Sequence, residues 1–175
     1  MSAHLKIALV LAASVLLAGC WQSKVDFYES DTPLTPFKAG QVATTDSDGK
    51  VTHSTLSLDD GVYVLGREAA GFRLRFFPLA GAPKDYLLIE AEIVHDCKDN
   101  ICAPLPANPL HFFAVAHLNQ TGGAQELAAN CDDETAEKLG AKQDGVVCDF
   151  SDRATLEKAL RTLIGSTPVS TVNPE

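Results

Sequence analysis

The side chains of this chain best able to do chemistry are its cysteines, at 20, 97, 102, 131 and 148, and its histidines, at 4, 53, 95, 111 and 117. His95-Asp96-Cys97, followed by Cys102, His111 and His117, contains metal-ligand types. Zinc asks for four nitrogen or sulfur ligands in a tetrahedron, and these spacings match no structural zinc motif. His111 and His117 on one extended strand would stand about 20 Å apart, too far to share an ion. Surface histidines are the expectation, with no metal. Cys97 and Cys102 are separated by Lys98-Asp99-Asn100-Ile101. Redox dithiols use a two-residue spacer and a helix N-terminus that lowers the thiol pKa. Here the spacer lies between a strand-like run and a proline-rich loop, which reads as a staple.

Other constellations also fall short of a site. G-x-S-x-G and H-E-x-x-H do not occur. Ser47-Asp48-Gly49-Lys50 matches S-x-x-K, but on a glycine-containing turn and without the companion S-D-N and K-T-G motifs. Asp59-Asp60 and Asp132-Asp133 would point to opposite faces if extended, and both suit turns or helix starts. Asp46-Ser47-Asp48-Gly49 lacks the later acidic ligand of a calcium loop. Arg67, Arg73 and Arg75 gather around one hairpin. They could form a small anion patch, and pairing with Glu90 and Glu92 on a neighbouring strand is the simpler expectation. No catalytic residue and no cofactor is expected.

Cys20 stands apart. Lys6 supplies a positive charge, Ile7 to Leu17 is apolar apart from Ser14, and Ala18-Gly19 precede the cysteine. The apolar run is too short to span a bilayer and has the layout of a signal peptide. Leu17-Ala18-Gly19-Cys20 resembles the lipobox of bacterial lipoproteins. That resemblance, confined to the first 20 residues, implies cleavage before Cys20, a diacylglycerol thioether on its sulfur and acylation of the new amine. Several acyl chains hold a protein at a membrane stably, at roughly 0.8 kcal/mol per buried methylene. It further implies a cell-envelope location. Trp21 rather than Asp after the anchor favours the outer membrane, facing the periplasm.

Removing residues 1–19 takes away one charged side chain, Lys6, and moves the formal charge from −9 to −10. Such a surface repels nucleic acid and anionic headgroups, so only the Cys20 lipid would draw the chain to a membrane. In an oxidising compartment the four remaining cysteines, Cys97, Cys102, Cys131 and Cys148, are expected to form two disulfides. Three pairings exist. Cys97–Cys102 and Cys131–Cys148 join neighbours across turn-forming residues and are preferred.

The elements that must position these groups are mostly strands. Alternating runs at 41–45, 50–58, 62–65, 72–76, 86–94, 110–118 and 145–150 are separated by turn sequences such as Asp46-Ser47-Asp48-Gly49 and Asp59-Asp60-Gly61. Phe72-Arg73-Leu74-Arg75-Phe76 alternates cleanly. Glu90 and Glu92 share one face of their run, with Ile89, Ala91 and Ile93 on the other. Asp132 to Leu139 reads as a short helix stopped by Gly140. Ser151 or Asp152 can cap a helix over 153–164 with Leu156, Leu160, Leu163 and Ile164 as its apolar stripe.

The expectation is an α+β protein, mainly antiparallel β, with five to seven strands in a meander, small sandwich or open barrel, and a C-terminal helix. The signal peptide covers 1–19, a lipid-anchored tether 20–40, one domain 41–165 and a flexible tail 166–175. In function the leading expectation is a non-enzymatic envelope lipoprotein that binds another envelope protein. A carrier of a small apolar ligand and an enzyme without a local motif are the alternatives.

Overall fold

The computed structural model describes residues 21–67, 70–98, 101–102 and 109–175; side chains are described at all of these except 67, 70, 94–98, 101 and 102. The signal sequence and Cys20 therefore lie outside the described residues. Among the described residues there are twelve strands: β1 (Trp21–Ser23), β2 (Gly40–Asp46), β3 (Val51–Asp59), β4 (Val62–Arg67), β5 (Ala70–Pro78), β6 (Tyr86–Lys98), β7 (Ile101–Cys102), β8 (His111–Leu118), β9 (Ala124–Leu127), β10 (Lys142–Asp144), β11 (Val147–Asp149) and β12 (Ser170–Pro174). Two helices join them, α1 (Asp133–Leu139) and α2 (Arg153–Arg161).

Eight of these strands close a barrel. β2 to β6 run as an antiparallel meander, β6 pairs β8, β8 pairs β9, and β12 fits between β9 and β2. Strand number and stagger together set a barrel's width. The stagger is large here. The register row from Asp46 through Ser170, Glu126, Ala116 and Leu87 to Pro78 climbs from a turn at one rim to a loop at the other.

Turn chemistry sets the hairpins. Asp46 Oδ1 accepts from the N–H groups of Asp48 (3.0 Å) and Lys50 (2.8 Å). Asp60 and Gly61 both have positive φ, as a two-residue hairpin turn between twisted strands requires.

Alternation along the strands builds two apolar clusters. One lies inside the barrel and includes Val42, Leu56, Tyr63, Leu74, Phe76, Ile89 and Ala114. The other lies on the outer wall, where Phe77, Leu88, Phe113 and Val115 meet Leu156, Ala159 and Leu160 of α2. Asp132 and Asp152 cap the two helices by accepting from Thr135 N–H (2.7 Å) and Thr155 N–H (2.8 Å). The Cys131–Cys148 disulfide, as expected, ties the start of α1 to β11.

The structure corrects several expectations. Strands outnumber the five to seven foreseen, and the barrel is closed rather than open. Residues 21–40 are no tether. Trp21 is 1 % exposed and lies 5.5 Å from Phe150, ring to ring; β1 pairs with β8 and β11; Tyr28 is fully buried against Phe77. These aromatics are spaced irregularly because the segment wraps the outer wall, so periodicity could not reveal them. Residues 166–175 are not a free tail either, since Ser170–Pro174 is β12. Its residues are mostly polar, but without it β9 and β2 would each present an unpaired edge. The α-helical stretch of α2 ends at Arg161, and turns carry the chain on to Ser166.

Candidate ligand site in the barrel

Each barrel strand sends alternate side chains inward. At the rim built by the β3–β4 turn and the β5–β6 loop, the interior is filled. Val42, Leu56, Tyr63, Leu74, Phe76 and Leu87 are all buried. Phe37 closes this end, with its ring 5.1 Å from Phe76 and 6.0 Å from Tyr63. Phe37 N–H donates to the Tyr63 hydroxyl at 2.9 Å, and that hydroxyl donates to Phe37 C=O at 2.7 Å.

The opposite rim carries the β2–β3 and β4–β5 hairpins. Here the inward positions are Thr44, Thr52 and Ser54 on one side and Leu65, Phe72 and Phe112 on the other, all only half-buried. Among the described residues, then, large apolar groups face the inside of a closed barrel yet keep contact with solvent, which makes this rim the candidate mouth. Behind them several wall positions are small: Ala91, Ala114, Ala116 and Ala124 face inward on β6, β8 and β9, alongside the larger Leu87 and Ile89. The inside is apolar and much of the outside polar, the inverse of a barrel that faces lipid. No helix among the described residues is long and apolar enough to cross a membrane.

One ionisable side chain enters this space. Glu126 shares the inward row of β9 with Ala124 and stands opposite Ser170 of β12. Ser170 is itself opposite Asp46, the last residue of β2 before the rim turn, so both lie just inside the mouth. Glu126 is 7 % and Ser170 3 % exposed, and Ser170 Oγ donates to Glu126 Oε2 at 2.7 Å. Burial pushes the carboxyl up to about 7, against the smaller downward pull of the Ser170 hydroxyl. No cationic side chain among the described residues forms an ion pair with it.

A second polar cluster sits on the outer wall, beneath the segment after β1. The expected pairing of hairpin arginines with Glu90 and Glu92 takes the form of Arg75 opposite Glu90 and Arg73 opposite Glu92. The expected solvated face is instead largely covered. Glu90 has no exposed side-chain surface, and Arg75 Nη2 lies 2.6 Å from Glu90 Oε2 and 2.5 Å from Asp26 Oδ2. His111 Nδ1 lies 2.9 Å from Glu90 Oε1 and 3.3 Å from Glu92 Oε1.

Burial opposes charge on the imidazole, but Glu90, Asp26 and Glu92 outweigh it and hold His111 above its usual value. Burial raises Glu90 despite His111 and Arg75. Both directions favour a proton held by the pair. Asp26 is pushed up by burial yet ends below its usual value through Arg75 and the Tyr28 N–H.

The ligand atoms of Asp26, Glu92 and His111 lie within 4.8 Å of one another, close enough to hold one metal ion. The Arg75 guanidinium already supplies a cation to Asp26, and Glu92 lies 3.8 Å from it. The arrangement is therefore best explained as a self-compensated ion cluster.

Of the residues singled out in the sequence, Cys131 and Cys148 are joined. Cys97 stands directly opposite Cys102 in the β6–β7 register, with their side chains outside the described set. The side chains of His95 and Arg67 are outside it too. His117 does not approach His111; it pairs with Asp85 at 3.1 Å and stacks on Tyr86 at 4.3 Å. Glu126 escaped sequence reasoning because Ala124-Gln125-Glu126-Leu127 is too short to show which face is inward. No protein-family model, curated protein or solved structure matches the chain.

Proposed function

We propose that this is a non-enzymatic, lipid-anchored envelope protein whose barrel binds a small, largely apolar ligand through its open end. The observation that carries this reading is the half-buried state of inward-facing Leu65, Phe72 and Phe112, at the end opposite the Phe37 plug. Eight strands make a barrel that side chains can fill or that can hold one small ligand, and the large stagger and the four inward alanines of the wall favour the second. Ligand pockets of this kind are mostly apolar with a few placed polar groups. An envelope-protein partner ranks below it. Among the described residues the large exposed hydrophobics are few: Val25 and Leu34 in the β1–β2 connection, Val51 and Leu58 at opposite ends of β3, and Val146 in the β10–β11 turn.

The anchor belongs to the same proposal. With Trp21 already in a strand, a lipid on Cys20 would hold the barrel against the bilayer with no linker between. Such a placement suits a protein that takes its ligand from, or near, a membrane.

The test is titration of the soluble chain from Trp21 with the apolar fluorophore N-phenyl-1-naphthylamine. Saturable enhancement is expected. Ala114→Phe, which fills the wall behind the mouth, should weaken it roughly ten-fold, the effect of losing about 1.4 kcal/mol. A folded Ala114→Phe variant with unchanged probe affinity, or a wild-type chain that binds no probe, would refute the reading.

A further inference from the structure

Among the described residues two carboxylates are buried, and the chain treats them differently. Glu90 is surrounded by cations of the chain's own, Arg75 at 2.6 Å and His111 at 2.9 Å. Glu126 is 7 % exposed, faces the barrel interior just inside the mouth, and among the described residues has Ser170 alone as a side-chain partner. An ionised carboxylate is costly to bury without a compensating charge. A proton can compensate it when the barrel is empty. Among the described residues no cation stands ready to compensate it when the barrel is occupied, so the compensating charge can come with the occupant. Near Glu126 the lining offers a neutral alanine, Ala116, and beyond it the rings of Phe72 and Phe112, whose faces also attract a cation.

We infer that the ligand is an apolar molecule bearing one protonated amine, that Glu126 is the anchor for that amine, and that Ser170 positions the carboxylate. The inference rests on the ligand-binding reading above and narrows the ligand class. The raised pKa of Glu126 agrees with it, because an incoming ammonium would displace a proton that the empty site holds near neutrality. The net charge of −9 adds a field that draws cations and repels fatty-acid anions.

The test uses three probes with one eight-carbon chain, octylamine, octanol and octanoate, each displacing N-phenyl-1-naphthylamine from the protein at about pH 8. A charge-assisted contact contributes roughly 1.5–3 kcal/mol, so octylamine should bind about ten- to a hundred-fold more tightly than octanol, with octanoate weakest. Glu126→Gln should bring octylamine down to the level of octanol and leave octanol unchanged, which shows that the barrel is intact. Ser170→Ala should weaken octylamine without abolishing its preference. Equal affinities for amine and alcohol in the wild type, or an amine preference that survives Glu126→Gln, would overturn the inference while leaving an apolar-ligand barrel standing. If the fluorophore itself does not bind, the underlying reading fails and this inference with it.

Discussion

Replacing Glu126 by Gln should stabilise the protein, and increasingly so as pH rises. The folded carboxyl titrates at about 7 against an ordinary value of 4.5, because burial disfavours its charge. The folded state thus holds the proton more tightly than the unfolded chain. That contribution is complete below about 4.5, shrinks as pH rises towards 7, and is gone above it. At about 1.4 kcal/mol per pH unit, the full loss is about 3 kcal/mol.

Gln keeps the shape and can still accept from Ser170 Oγ, but has no charge to bury. Urea denaturation of both proteins at about pH 5 and about pH 8 gives the answer. At the higher pH the variant should be more stable by about 3 kcal/mol, or about 6–12 °C in Tm for a chain of this size. At the lower pH the advantage should shrink to under about 1 kcal/mol. The difference between them isolates Glu126, because His111, also held above its ordinary value, titrates in both. A variant no more stable than wild type at about pH 8 would show that Glu126 is not buried without a countercharge, and would remove the basis for the amine anchor.

Arg75→Met should cost about 3–5 kcal/mol in chemical denaturation, since it strands Glu90 and Asp26 without their cation; Arg75→Met with Glu90→Gln should recover much of that, and a harmless single variant would contradict the cluster. Opening the 17-residue span between Cys131 and Cys148 by changing both to Ala should cost about 3 kcal/mol on the chain-entropy account, read as a lower urea midpoint. Non-reducing peptide mapping should recover Cys131 with Cys148 and Cys97 with Cys102; a Cys102–Cys131 peptide would be incompatible with the fold. Cys20→Ser should release the protein from the membrane fraction or leave it unprocessed, and normal processing with unchanged fractionation would count against the anchor.

Much of the secondary structure was legible in local pattern. Phe72 to Phe76 and Ile89 to Glu92 alternate strictly enough to show their two faces, and that arginines of one run could pair with Glu90 and Glu92 of the other. Asp132, Gly140 and Asp152 marked helix ends because caps are local chemistry. Cys131 and Cys148 were pairable because little chain separates them. The covering of Glu90 was not legible. A charged residue in a strand reads as solvent-facing, and only the segment carrying Asp26, folded over β5 and β6, takes the water away.

The amino-acid order by itself determined strands, turns, helix caps and a lipobox-like start, since each depends on residues within one or two turns of chain. Closure of the barrel was decided only in three dimensions. β12 is short and mostly polar, and what holds it, besides the packing of Val172 on the interior cluster, is backbone pairing to β9 and β2, about 45 and 128 residues earlier in the chain. The same closure turned Glu126 inward. Its neighbours in sequence carry no sign of this, because the face a four-residue strand presents is set by register with distant strands rather than by its own composition.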